Sequence, residues 1–104
     1  MNILEITLEN PIGYAEIVRL KSEIETGRDY YFLIIDSGKH EFVSLDVIKY
    51  FRTQMQTIET ELSKFEKIAL IHPPEYRNES SEPERYNYFT SKVEAKEWFL
   101  NSIK

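Results

Sequence analysis

Apolar residues in this chain fall either into short continuous runs or into stripes with helical spacing, and the two patterns alternate. The most apolar run covers residues 30–36, and glycine, aspartate and serine lie on either side of it. Aromatic and β-branched side chains in such a run are typical of a strand buried on both faces of a sheet. We therefore predict a central strand here. A tight polar turn through Ser37, Gly38 and Lys39 then leads to a helix whose N-cap is Ser44.

A shorter strand and a helix are predicted before this central strand. Residues 3–8 form an apolar run, which Asn10 and Pro11 end while supplying an N-cap and a proline at the first helical position. Gly27 is expected to end the helix in a left-handed conformation, so the helix should span residues 11–26. Its apolar face repeats at helical spacing: Gly13, Ile17, Leu20 and Ile24.

The strongest helical pattern follows Ser44. Its apolar residues recur every three or four positions with polar residues between them: Ile48, Phe51, Met55, Ile58, Leu62 and Phe65. Such a stripe is typical either of a seam for a partner helix or of a helix that packs on a sheet. Coiled-coil seams usually continue for more heptads than this one. We therefore predict one long helix packed on the sheet.

Two more strands are predicted after this helix. Residues 67–72 form an apolar run, and the proline pair at 73–74 stops it because neither proline can donate a ladder hydrogen bond. Polar and charged residues dominate positions 75–85, which predicts a solvated loop. Residues 86–89 then form a short fourth strand.

A capping box at Ser91 and Glu94 opens a C-terminal helix, whose apolar face is formed by Ala95, Trp98 and Phe99. The element order is therefore β-α-β-α-β-β-α. Right-handed crossovers through the first two helices make the first three strands parallel neighbours. We predict a single-domain α/β fold over residues 1–104, with a small, mainly parallel or mixed four-stranded sheet and three helices packed against it. The pattern leaves the direction of the fourth strand open.

Composition narrows the functions that the chain can serve. Its 104 residues with 41% hydrophobic content suit one core. The absence of cysteine excludes disulfides, thiol catalysis and cysteine-bound zinc. A formal charge of −5 without a basic stripe argues against nucleic-acid binding. No apolar run is long enough to span a membrane and no secretory segment is recognised, so we expect a cytoplasmic protein.

Few residues could carry chemistry. His40 and His72 are the only histidines, and they fit no metal-binding spacing. Asp36 and Asp46 suggest a carboxylate pair at the end of the central strand. Each also has a structural explanation, an Asx turn for Asp36 and the favourable dipole of a helix start for Asp46. No nucleophile, base and orienting group can be assembled, so we expect no enzymatic activity, no cofactor and no metal ion.

Residues 36–48 resemble the signature of STAS domains, the family of sulfate-transporter and anti-sigma-factor-antagonist domains. In both, a strand ending in an aspartate, here Asp36, leads through a short loop and an apolar pair to a helix start, here Ser44. Residues 67–71 and 88–99 are similar to the ending of small SpoIIAA-like proteins, which close with Phe-Thr-Ser, Glu-Ala and a tryptophan. This resemblance implies a STAS-like, SpoIIAA-like domain.

The same resemblance implies a function. The antagonists carry a phosphorylated serine in an Asp-Ser-Ser-Gly-Leu motif, and alignment from Asp36 places Asp46 at that position. It therefore implies a non-enzymatic regulatory module without the phosphorylatable serine, which interacts with a protein partner of the anti-sigma-factor type. We expect its partner-binding residues in the turn and the helix start: Ser37, Lys39, His40, Glu41, Ser44 and Asp46.

The alternative is a small carrier of apolar ligands or lipids. SpoIIAA-like folds resemble lipid-binding domains of the Sec14 type, and the 13% aromatic content could line an apolar pocket between sheet and helices. Whether the structure contains an enclosed apolar cavity would separate this alternative from the interaction module.

Overall fold

All four predicted strands pair in parallel, in the order in which they occur along the chain. They are β1 (Ile3–Thr7), β2 (Phe32–Asp36), β3 (Lys67–Ile71) and β4 (Tyr86–Phe89). The fourth strand, whose direction the sequence left open, is therefore parallel to its neighbour. The computed structural model describes residues 2–27, 29–76 and 83–102, so most of the predicted loop at 75–85 lies outside the described residues.

The described helices number four, whereas the sequence predicted three. They are α1 (Tyr14–Thr26), α2 (Leu45–Thr57), α3 (Glu59–Leu62) and α4 (Lys92–Ser102). The predicted long helix divides at Ile58, whose backbone leaves helical geometry at φ −105° and ψ 20°. The hydroxyl of Thr57 donates to the carbonyl of Gln54 at 2.7 Å, and such local bonds compete with the helical ladder. The division keeps Ile58 and the later Phe65 in the core.

The helices cover the two faces of the sheet unequally. Alternate residues of each strand point to opposite faces, so Leu33 and Ile35 join the core under α1 and α2, whereas Phe32 and Ile34 pack against α4. The larger core combines these strand residues with helical ones: Ile17, Leu20, Ile24, Val47 and Ile58. The smaller core adds Ala69, Ile71, Ala95 and Phe99. Two cores on either side of β2 and β3 explain why these strands are almost continuously apolar.

The first helix begins later than predicted. Gly13 is its N-cap and Tyr14 its first residue, while Asn10 and Pro11 form a bend in the segment between β1 and α1, which we call the arm. Ile12 in this arm is fully buried and forms a bridge to Phe42, so the arm is held along the chain that leads into α2. Asn10 therefore does not cap α1 as predicted. Its side chain instead forms hydrogen bonds with the backbone of Ser37 and Glu41, in the segment before α2.

Gly27 ends α1 without the predicted left-handed conformation, since its φ is −80°. A Cβ atom at this position would approach Leu4 Cδ2 to 2.7 Å, so a larger residue would require the end of the Leu4 side chain to shift. The central strand also begins later than expected, at Phe32, and Tyr30 and Tyr31 before it are exposed.

The last helix keeps its predicted start. The backbone N–H of Glu94 donates to Ser91 Oγ at 3.3 Å, and the Glu94 carboxylate accepts from the backbone N–H of Thr90 at 3.3 Å. The carboxylate therefore reaches back one residue further than a standard capping box does. Ala95 and Phe99 are fully buried as predicted, whereas Trp98 is only partly buried.

Candidate functional site

A tight turn follows the carboxyl end of β2. The backbone N–H of Gly38 donates to Asp36 Oδ1 at 2.9 Å, which confirms the predicted Asx turn. Gly38 and His40 both have positive φ, 63° and 57°. The side chain of Asn10 fixes this turn from the neighbouring arm: its Nδ2 donates to the carbonyl of Ser37 at 2.9 Å and its Oδ1 accepts from the Glu41 N–H at 2.8 Å. The turn is thus held in one geometry by hydrogen bonds from outside it.

Inside the turn, Ser37 joins the two histidines of the chain. Its Oγ lies 2.8 Å from His72 Nδ1 and 3.2 Å from His40 Nδ1, and it donates to the carbonyl of Ile71 at 2.9 Å. A serine oxygen has one hydrogen and two lone pairs. When the hydrogen goes to Ile71, both Nδ1 atoms donate to Oγ, and both Nε2 atoms then carry no proton. We call Ser37, His40 and His72 the Ser-His cluster.

The surroundings of the Ser-His cluster keep its imidazoles neutral at pH 7. Burial, and to a lesser degree the neighbouring His40, lower the pKa of His72 to about 4 against an opposing effect of Asp36. Burial also lowers the pKa of His40. The two rings lie with centroids 4.4 Å apart, and His72 stacks on Tyr88 at 5.4 Å. Ser37 is only 4% exposed, so its hydroxyl is a structural partner of the histidines and is poorly accessible to a substrate.

A cleft of about 360 Å³ opens beside the Ser-His cluster, between α2 and α3 on one side and β3 and β4 on the other. It is open to solvent along part of its surface. Most of its lining is aliphatic or aromatic: Leu8, Ile35, Phe51, Met55, Leu62, Leu70, Tyr86 and Tyr88. The polar lining consists of Arg52, Gln56 and the Ser-His cluster. Burial raises the pKa of the Tyr86 hydroxyl, so this group too is uncharged at neutral pH.

Two shallower depressions adjoin this cleft. One shares His40, Phe51 and Arg52 with it and adds Glu41. The other shares Leu62 and Tyr86 among its lining and adds Glu59 and Arg85. The cleft therefore has Arg52 and the Ser-His cluster toward the first depression. Toward the second it has Met55, Gln56, Leu62 and Tyr86, none of which carries a formal charge.

The predicted partner-binding residues have different environments. Ser37 is buried and His40 is partly buried, and both line the cleft. Ser44 caps α2, as predicted, by accepting from the Val47 N–H at 3.3 Å. The other three are exposed: Lys39, Glu41 and Asp46. Of the apolar pair that follows, Phe42 packs on the core as expected.

Val43, the second residue of this apolar pair, is 62% exposed. The cause is the bridge between Ile12 and Phe42, which leaves the next side chain on the outer side of the arm. The Asp36 carboxylate accepts from the Gly38 N–H and lies 3.9 Å from Lys92 Nζ, which fits its structural explanation. Asp46 is exposed in the first turn of α2, which fits its structural explanation.

The cleft-lining residues of α2 and β4 were not singled out from the sequence. Phe51, Met55 and Leu62 were assigned to a buried stripe, but they are only partly buried, and Val47 takes the fully buried position instead. One signal was available: the predicted helix carried more large apolar residues than the short strands beneath it could cover. Arg52 within that stripe gave no signal because a charged residue on a helix usually lies on its solvated face.

Comparison with known proteins identifies no relative: no family model, curated protein or solved structure matches the chain. The assignment to STAS domains therefore stays a prediction. Within the described ranges, no group of three or more His, Asp or Glu side chains is arranged to hold a metal ion. None of the helices in that part of the chain has the length and apolar character needed to cross a membrane.

Proposed function

We propose that this protein is a binding module for a small, largely apolar molecule, held in the cleft between α2–α3 and β3–β4. The observation that carries this proposal is the lining of the cleft, in which aliphatic and aromatic side chains surround a few convergent polar groups at one end. Ligand sites in proteins typically have this composition. The perturbed pKa of His72 at the polar end is a second feature that such sites share.

The size of the cleft limits the ligand. A volume of about 360 Å³ lies near the lower end of the range for small-molecule pockets. At roughly 30 Å³ per heavy atom in a liquid, it has room for a molecule of about a dozen heavy atoms. The proposed ligand is therefore a short-chain or single-ring amphiphile and not a whole phospholipid.

Titration with 1-octanol, measured by calorimetry, tests this function because the probe is apolar, uncharged and of suitable size. We expect saturable binding with a Kd in about the millimolar range or tighter. Met55→Trp should fill the cleft from α2 and abolish binding, whereas Leu100→Trp at an exposed position of α4 should leave it intact. Equal binding by both variants would mean that octanol binds elsewhere, and the cleft would lose this function.

A second candidate function is the regulatory interaction module implied by the resemblance to STAS domains. It is favoured by the exposure of Val43 (62%) and Leu45 (75%), which flank the helix cap on the segment predicted to contact a partner of the anti-sigma-factor type. Exposed Lys39 and Glu41 precede these two side chains, so an apolar pair lies beside charged groups. Protein interfaces often combine an apolar centre with a polar rim.

Site-specific photo-crosslinking in the native cells tests this second function. A photoreactive residue at position 45 should capture one defined protein, and the same residue in place of Val93, which is 66% exposed on α4, should not. Adding Val43→Ala and Lys39→Ala to the position-45 probe should then remove the crosslink without changing the melting temperature, because exposed substitutions have small effects on stability. Identical crosslinks from both positions would contradict a specific interface at this segment.

A further inference from the structure

The described residues that line the cleft carry formal charge of only one sign, and it is positive. Among the described residues that line the cleft, Arg52 is the only one with a formal charge at neutral pH, because the others are apolar, aromatic, hydroxyl, amide or imidazole groups and burial lowers the pKa of both histidines. The chain as a whole has 18 acidic and 13 basic residues, so a lining without a carboxylate departs from its composition. An anionic ligand group therefore meets no like charge in the cleft itself.

Arg52 has unused hydrogen-bonding capacity. Within residues 2–27, 29–76 and 83–102, it makes no hydrogen bond or ion pair. Arg19 shows the opposite situation: its guanidinium donates to Glu16 Oε1 at 2.9 Å, to Glu23 Oε2 at 2.6 Å and to a backbone carbonyl at 2.7 Å. Among the described residues, the structural arginine is thus surrounded by acceptors, whereas the side chain of the arginine at the mouth of the cleft has none.

The polarity of the cleft gives a bound molecule a direction. Arg52 lies with His40 and Phe51 at the end that the first shallow depression shares. Met55, Leu62 and Tyr86 lie at the other end together with the uncharged Gln56, where the second depression adjoins the cleft. A molecule with a polar head and an apolar tail therefore has a preferred orientation, in which the head lies near Arg52.

Resting on the ligand-binding function proposed above, we infer that the cleft takes an amphiphile with a carboxylate head, which Arg52 binds, while its apolar chain lies toward Leu62 and Tyr86. A carboxylate matches the planar fork of a guanidinium in a two-point contact. A single arginine also balances a single negative charge, whereas a dianionic phosphate would keep one charge uncompensated. Glu41 in the adjoining depression opposes the ligand charge without pairing with Arg52.

Calorimetric titration with octanoate, 1-octanol and octylammonium separates the head group from the chain. Octanoate should bind roughly three- to tenfold more tightly than octanol, because Arg52 is exposed and its contribution is partly screened, and octylammonium should bind most weakly. Arg52→Gln should remove the preference for octanoate over octanol. Lys49→Gln is the matched control, since it removes the same charge from α2 at an exposed position outside the lining, and it should keep the preference.

The outcomes distinguish this inference from the binding function on which it rests. The carboxylate head is wrong if octanol binds and octanoate binds no more tightly, or if Arg52→Gln still binds octanoate more tightly than octanol. The cleft then remains an apolar site. If neither octanol nor octanoate binds, the binding function itself fails. Tighter binding of octyl phosphate than of octanoate would overturn the choice of a carboxylate. Glu41→Gln should tighten octanoate only, and an equal gain for octanol would contradict the electrostatic explanation.

Discussion

The two faces of the sheet differ in how completely their helices cover them. On one face, α4 approaches closely through Ala95, and Phe99 stacks on Phe32 with ring centroids 4.4 Å apart. On the other face, α2 and α3 leave a cleft of about 360 Å³ above β3 and β4. We call the face under α4 the closed face and the face under α2 and α3 the open face. The buried residues of the closed face are all apolar, whereas the open face ends at the Ser-His cluster. One sheet thus provides stability on one side and a binding space on the other.

The difference follows from the residues that meet the sheet. A small alanine in α4 lets the helix backbone lie near β2 and β3, so an aromatic ring can fill the remaining space. The open face has no such small residue in α2 above β4, and the bulky Tyr86 and Tyr88 of that strand hold the helix away while lining the cleft. We therefore expect substitutions on the two faces to have different effects on stability.

The largest effect should come from Phe99→Ala on the closed face. Phe99 is fully buried and stacks on Phe32, so its removal should lower the free energy of unfolding by about 3–5 kcal/mol. Urea denaturation followed by circular dichroism measures this change. Trp98→Ala should cost less, since Trp98 is only partly buried, and exposed Leu100→Ala is the control with almost no effect. A cost for Phe99→Ala below that of Trp98→Ala would contradict the close packing of this face.

Strand and helix identities were predictable from the sequence because run length and spacing depend on local burial. β4 (Tyr86–Phe89) and the start of α4 were predicted at their observed positions, where aromatic residues and a capping box give strong local signals. The start of α1 was wrong because Asn10 bonds to a turn that is distant in sequence. No local pattern can show such a contact. The parallel direction of β4 likewise depends on a connection that composition does not encode.

The candidate site was predictable only in part. The turn after Asp36 and the cap at Ser44 follow from local rules, and both are observed. The Ser-His cluster was not predicted, because Ser37 and His72 are 35 positions apart and meet only when β2 and β3 pair. An apolar pocket was one of the alternatives that the sequence left. Its lining depends on how α2 is rotated about its own axis, and that rotation is set by whether Val47 or Phe51 reaches the core.

An intermediate effect should appear on acidification, and it should come from the open face. The pKa of His72 falls from 6.5 to about 4 in the folded protein, so the unfolded chain binds this proton more readily. Its contribution to stability is therefore complete above pH 6.5 and is lost as the pH falls toward 4. After allowance for partial solvent screening, we expect a loss of about 1–2 kcal/mol. Urea denaturation at a series of pH values measures it.

The matched variant for this pH series is His72→Gln, which keeps a polar side chain next to Ser37 but does not titrate. The groups that face His72 are His40, Asp36 and Tyr88, and burial lowers the pKa of His40 as well. The variant should therefore show a smaller, not an absent, pH dependence between pH 6.5 and 4.5. The effect of Glu16 can be separated from that of His72. The hydrogen bond from Arg19 lowers the pKa of Glu16 to about 2, and its contribution to stability changes only below its ordinary pKa of 4.5. An unchanged slope in the variant would assign the pH dependence to other groups.

The smallest effect should come from Met55→Ala, in the wall of the cleft. A buried methionine usually costs about 2–5 kcal/mol when it is cut back to alanine, partly because a closed cavity remains. Met55 is only partly buried and borders space that is already open to solvent, so its truncation enlarges the cleft without creating a closed cavity. We therefore expect a loss of about 1 kcal/mol or less in urea denaturation. Leu20→Ala on the same side of the sheet, at a fully buried position of α1, is the control and should cost about 2–5 kcal/mol. Equal losses for the two variants would show that Met55 is enclosed as fully as Leu20. This face of the sheet would then not be open, and its contrast with the face under α4 would fail.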